Sequence, residues 1–196
     1  MIIRIWLIYL WDFLDPVYYC CTRLFHLKLE EKYSVFRVRK TKYRGPDIIL
    51  SDGSSLKKND IVIKIHLHNS RLLKQLVHIK SPVSRGRALI RIVGESMPCL
   101  ALHLEHHPDS DSIKGIIGIT MISKGYQILG FERHPLAHRG YILLKQLMQA
   151  PIYFLSQPKA KWKDLKEAAP AYLVMTKEQL TAKYLQSLST AIKAGS

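Results

Sequence analysis

The strictest alternation in the chain runs from Ile61 to Asn69. Ile61, Ile63, Ile65 and Leu67 fall on one side of an extended segment, and Val62, Lys64, His66 and His68 on the other. One face therefore belongs to a core. The other sets a cation and two imidazoles in a row. A second alternating segment, 33–42, points Phe36 and Val38 one way and Arg37 and Arg39 the other. Between the two, Arg44-Gly45-Pro46-Asp47 reads as a turn and 47–50 as a short strand. Ser51-Asp52-Gly53 is a hairpin signal, and Lys57-Lys58-Asn59-Asp60 is another turn. Residues 33–69 thus predict a β-meander of three or more strands.

Helical spacing follows. Asn69-Ser70 offers an N-cap to a short helix over 71–78, and 81–86 reads as a loop. Leu89, Val93, Met97, Leu100 and Leu104 then step by four, four, three and four, a single apolar stripe. Pro98 lies inside the stripe without shifting its phase. That predicts a kinked helix, or a second helix capped by Ser96, ending near His107-Pro108. Residues 116–122 are a short β-branched run and read as a buried strand. Residues 123–130 make a turn, and 129–132 start another strand. So short a separation predicts antiparallel pairing of the two. Residues 136–148 are helical in pattern, 157–166 an exposed linker or short helix, and 171–175 a last strand. Thr176 with Gln179 forms a capping box for a closing helix to about Ala194. Strands come in runs rather than alternating singly with helices. The predicted class is α+β: a mostly antiparallel sheet with helices packed on one face.

The first 26 residues change this picture. They are strongly apolar, yet Arg4, Asp12 and Asp15 cut them into runs far shorter than the ~20 residues of a spanning helix. No small-residue cleavage site of the signal-peptide kind is present. On a helical wheel the polar residues share one sector. The segment reads as an amphipathic helix, 1–26, ahead of a single α+β domain, 27–196. Its apolar side suits either the domain's own sheet or a membrane interface, where Trp6, Tyr9, Trp11, Tyr18 and Tyr19 would be favoured.

Charge narrows the partners. Thirty Lys and Arg against fifteen Asp and Glu give a net charge of +15. Such a chain favours anionic partners: a membrane surface, phosphate-bearing ligands or nucleic acid. The basic clusters are dispersed and lack the aromatic strand of RNA-recognition modules, so specific nucleic-acid binding is not expected. Three cysteines, two of them the adjacent Cys20 and Cys21, suit a reducing compartment and a cytoplasmic location.

No motif establishes a reaction. There is no P-loop, dinucleotide fingerprint, Gly-x-Ser-x-Gly or zinc-finger spacing, and no cofactor is expected. His103 and His107 stand four apart, but Glu105 is misplaced for a zinc-peptidase helix, and they read as a solvated helix end. Glu132 and His134 share a strand side without a partner nucleophile. The candidate binding residues are Lys64, His66, His68 and Asn69, with Asp60 in the turn that feeds them. With no convincing third ligand, metal is not expected there. The set reads as the floor of an anion-tolerant cleft.

Several stretches together resemble one family. They are Trp11-Asp-Phe-Leu-Asp-Pro16, Leu50-Ser-Asp-Gly53 leading to Asn59-Asp60 and Ile65-His-Leu-His-Asn69, Glu95-Ser-Met-Pro98, Gly118-Ile-Thr120 with Leu129-Gly-Phe131, and Tyr172-Leu-Val-Met-Thr-Lys-Glu-Gln-Leu180. Over nearly the whole chain they look like the YkoP-like family of Bacillus-type bacteria. Related domains are attached to polysaccharide deacetylases, and such genes lie near glycosyltransferases. The resemblance implies a link to the cell envelope and to lipid-linked glycans, but no reaction. The deacetylase metal motifs are missing here, so that activity is not carried over. The expectation is a cytoplasmic, membrane-peripheral protein that binds an anionic lipid-linked or phosphorylated ligand. The alternatives are a non-catalytic partner domain docking a membrane or glycan-modifying enzyme, and, last, a basic nucleic-acid binder.

Overall fold

The two alternating segments pair directly. In the computed structural model, which describes Tyr9 and residues 24–29, 32–157 and 160–194, β1 (Phe25–Leu29), β2 (Lys32–Lys42) and β5 (Ile61–Leu67) lie side by side and antiparallel. The β2–β5 register runs from Phe36 opposite Leu67 to Lys42 opposite Ile61. The expected meander is therefore corrected. β3 (Ile48–Ile49) and β4 (Ser55–Leu56) form a separate two-stranded ribbon instead of entering the sheet. Two paired residues a strand are too few to compete with the seven-residue ladder between β2 and β5.

After β5 come α1 (Asn69–Leu76) and α2 (Pro82–Glu105), which carry the chain across to β6 (Ile113–Thr120). β6 lies parallel to β5, the one parallel pair among the described strands. β7 (Glu132–Pro135), α3 (Arg139–Ser156), α4 (Trp162–Glu167), β8 (Ala171–Thr176) and α5 (Lys177–Ala194) complete the chain. The sheet order is β1-β2-β5-β6-β8-β7. The pairing expected between 116–122 and 129–132 does not occur, because β8 lies between β6 and β7 and is antiparallel to both. β8 buries Leu173 and Met175 on one face and Val174 on the other, the pattern of a central strand. The fold class is α+β with a mostly antiparallel sheet, as the sequence predicts.

One sheet face carries the main core. Phe36, Val38, Ile63, Ile116 and Met175 pack there against Val93, Met97, Leu100 and Leu104 of α2 and Leu180 of α5. The stripe read from the sequence is thus the buried face of α2. That helix is continuous through Pro98 and starts inside the expected 81–86 loop. Ser81 is its N-cap, its hydroxyl accepting from the Ser84 N–H at 3.4 Å, with Pro82 in the first turn. Ser96 caps nothing. It is buried in mid-helix, donating to the Ile92 carbonyl and accepting the Val35 N–H at 3.2 Å, which ties α2 to β2. α1 begins two residues before the expected 71–78, with His68 rather than Asn69 or Ser70 as its N-cap residue. The α5 capping box forms as read: Gln179 N–H to Thr176 Oγ1 at 3.1 Å, and Thr176 N–H to Gln179 Oε1 at 3.2 Å.

The opposite sheet face carries a smaller cluster. Ile48, Leu50 and Leu56 of the ribbon segment, with Tyr43, cover Val62, Ile117 and Val174. The helix expected over 1–26 lies outside the described residues apart from Tyr9 and its last three positions. Of those, Phe25 and His26 belong to β1. Among the described residues no helix is long and apolar enough to cross a membrane.

Candidate functional site

Strand alternation builds the site. Antiparallel register sets Arg39 opposite Lys64 and Thr41 opposite Val62 on the second sheet face. β6 adds Ile117, which is level with Lys64, and then Ile119, while β8 adds Tyr172. The ribbon cluster covers Val62 and Ile117 from one side. Beside it opens a cleft of about 1120 Å³ that these residues border. Ile119 and Tyr172, both half-buried, contribute its apolar and aromatic surface. The Tyr43–Pro46 turn lines one part, and Tyr141 and Lys145 of α3 line another. Tyr43 donates to the Pro46 carbonyl at 2.6 Å and meets Tyr172 edge-on at 5.7 Å, so the turn is held in place.

Among the described residues the charged side chains of the lining are all cations: Lys42, Arg44, Lys58 and Lys40, the last paired with Asp109, join Arg39, Lys64 and Lys145. Like charges directly opposite on adjacent strands repel, and here Arg39 and Lys64 do so half-buried. Burial first, then Lys145 and Arg39, bring the Lys64 ammonium down to about 8. Burial and Arg39 also lower Lys145. Among the described residues Lys64 has no hydrogen bond or ion pair with the protein. A bound anion would relieve this repulsion.

The five expected site residues are not all brought together. Lys64 lines the cleft. His66 follows it on the same strand face, half-buried beside the lining. Burial first, then the charges of Lys64, Arg39, Lys145 and Arg37, push it down to about 3. It is a neutral imidazole at physiological pH. His68 turns to other neighbours: its ring meets His26 edge-on at 5.1 Å and its Nε2 lies 3.3 Å from the Ser70 hydroxyl. His26 in turn accepts from the buried Arg37 Nε at 3.2 Å. Asn69 is the first residue of α1 and does not line the cleft. Asp60 closes the β4–β5 turn. Its carboxylate accepts the Lys57 N–H at 2.7 Å and its carbonyl the Tyr43 N–H at 2.8 Å.

Sequence reasoning missed Tyr43, Tyr141, Lys145 and Tyr172 as cleft residues. Arg39 was within reach, since pairing the two alternating segments places it opposite Lys64. Lys145 was not, because its position depends on how α3 crosses the sheet. The other pairs considered have structural work. Glu132 lies 3.7 Å from His134 but binds Ser51. His103 stacks edge-on with Phe25 and His107, at 5.3 and 5.5 Å. Among the described residues no three His, Cys, Asp or Glu side chains gather into a metal-binding group.

Fold and cleft together define a basic α+β domain whose sheet carries a cation-lined cleft. The chain belongs to the YkoP family, whose domain model (YkoP domain) matches residues 4–184. A relative from Bacillus subtilis (strain 168), named "Uncharacterized protein YkoP", is 39% identical over 175 residues, covering 89% of this chain and 94% of the relative. No solved structure matches the chain.

Proposed function

We propose that this protein is a membrane-peripheral binder of an anionic, phosphate-bearing ligand, lipid-linked, in cell-envelope glycan or lipid metabolism. Lys64, Arg39 and Lys145 hold the phosphate, and the apolar floor takes the adjoining part of the ligand. The observation that carries this reading is Lys64, half-buried and, among the described residues, without a hydrogen bond or ion pair, in a cleft whose described lining also holds Arg39 and Lys145 and no Asp or Glu. A half-buried ammonium of this kind costs the folded protein free energy, which a bound anion offsets. Ile119, with the rings of Tyr141 and Tyr172, gives the cleft apolar surface, which suits a phosphate attached to a hydrocarbon rather than a bare ion.

Calorimetric titration with inorganic pyrophosphate and with farnesyl diphosphate tests it. The expected result is binding of both, tighter for the prenyl compound, and loss of both in Lys64→Met. No measurable binding of either at low salt would end this reading.

A further inference from the structure

α3 buries only Ala150 and Leu155 and exposes a row of larger apolar side chains. Its outward positions Leu143, Leu144, Leu147 and Met148 recur at helical spacing and are exposed, Leu143 by 66% and Leu147 by 71%. Its polar side chains face the domain. Tyr141 and Lys145 line the cleft, and Gln146 donates to the Leu165 and Lys166 carbonyls at 3.3 Å, holding the end of α4. Phe154, seven residues beyond Leu147, continues the outward ridge. Trp162 meets it edge-on at 4.9 Å between ring centroids and is itself 67% exposed.

We infer that this ridge, with α4, is the surface on which the protein lies against an anionic bilayer. Charge selects the occupant. From 139 to 167, setting aside Lys145 in the cleft, the chain has five cations, Arg139, Lys159, Lys161, Lys163 and Lys166, against two carboxylates, Asp164 and Glu167. α3 itself contains no acidic residue. A narrow leucine ridge, an exposed tryptophan at its end and flanking lysines match the requirements of an interfacial helix: apolar side chains below the headgroups, indole at their level, cations against lipid phosphate. The surface belongs to the folded domain and is separate from the apolar N-terminal segment. It rests on the membrane-peripheral part of the function proposed above and not on the ligand. It places the inner side of the same helix, with Tyr141 and Lys145, on the cleft.

Co-sedimentation of the full chain with vesicles of equal phosphatidylglycerol and phosphatidylcholine, and with pure phosphatidylcholine, tests the assignment. The wild type is expected to bind the anionic vesicles more tightly. Leu143→Ser/Leu147→Ser should weaken that binding about a hundredfold. Lys163→Gln/Lys166→Gln should weaken it about tenfold, on anionic vesicles alone. All four positions are exposed, so melting temperature and pyrophosphate binding should not change. Wild-type binding that the serine variant retains in full would overturn the ridge while leaving membrane association standing. Absence of wild-type binding would overturn both. A wild-type dimer in sedimentation equilibrium that the serine variant abolishes, with vesicle binding unchanged, would assign the ridge to self-association instead.

Discussion

Glu132 holds Ser51 from across the molecule. The β7 carboxylate accepts both the Ser51 N–H, at 3.0 Å, and the Ser51 hydroxyl, at 2.6 Å. Ser51 begins the turn between β3 and β4, and the neighbouring Asp52 accepts from Gln179 Nε2 at 2.8 Å. The ribbon is therefore tied to the sheet's far edge and to α5, and with it the small cluster that includes Tyr43, a cleft residue. Hydrogen bonds to a charged group contribute about 1.5–3 kcal/mol when not fully exposed. Glu132→Ala is expected to lower stability by about 1–2 kcal/mol in urea titration. It should also weaken pyrophosphate binding without touching a cation. Unchanged stability would show that the ribbon is held by its apolar cluster alone.

Lys64→Met is expected to separate stability from function. It removes a half-buried cation that the protein leaves uncompensated, and keeps a similar length of apolar side chain. Replacing such a charge stabilises by roughly 1–2 kcal/mol. The variant should therefore melt higher than the wild type while losing the phosphate probes. A drop in melting temperature would mean that Lys64 is satisfied within the fold, and the cleft would lose its main anchor.

Much of the fold was legible because the core follows simple periods. The alternation of Ile61, Ile63 and Ile65 and the stripe from Leu89 to Leu104 are both single-face patterns, and both are buried as read. Strand order was less legible. The short spacing argues for antiparallel neighbours, yet β6 and β7 run in the same direction, because a strand some forty residues later inserts between them and is antiparallel to both, which nothing local reveals. The site was half legible for the same reason. Lys64 and His66 are placed by their own strand, whereas Lys145 and Tyr172 arrive through tertiary packing. The histidine row misled because equal spacing along a strand does not imply equal surroundings: His68 packs on His26 and His66 lies among cations.

Gly115 marks the tightest backbone approach in the sheet. A Cβ built there would lie 2.4 Å from the Met175 carbonyl oxygen and 2.9 Å from Thr176 Cα, both rigid backbone atoms of β8. It lies just past the irregularity in the β5–β6 register, level with Val62 of the cleft floor. Gly115→Ala must push β8 away, which costs about 1–3 kcal/mol or more for overpacking. Denaturant unfolding should show that loss, while Gly86→Ala, in open space on α2, should be neutral or slightly stabilising. Equal effects at the two positions would contradict the β6–β8 pairing.

Two groups of the second sheet face give the protein a pH signature, of the same sign in two separate windows. His66 is held down to about 3, against 6.5 in an open chain. Below pH 6.5 the unfolded chain takes up a proton that the folded one refuses. Stability contributed above 6.5 is therefore lost as pH falls toward 3, on the order of a few kcal/mol. Lys64 is held at about 8 against 10.5. The unfolded chain again holds its proton more tightly, so the penalty is present below pH 8 and fades as pH rises to 10.5. The same deprotonation removes the charge that holds phosphate. Urea midpoints should thus fall from pH 6.5 to 4 and rise from pH 8 to 10, and His66→Gln should flatten the first limb. Pyrophosphate affinity should decline above pH 8, with its midpoint displaced upward at saturating probe because bound anion favours the ammonium. Affinity that stays level from pH 7 to 10 would remove Lys64 from the site.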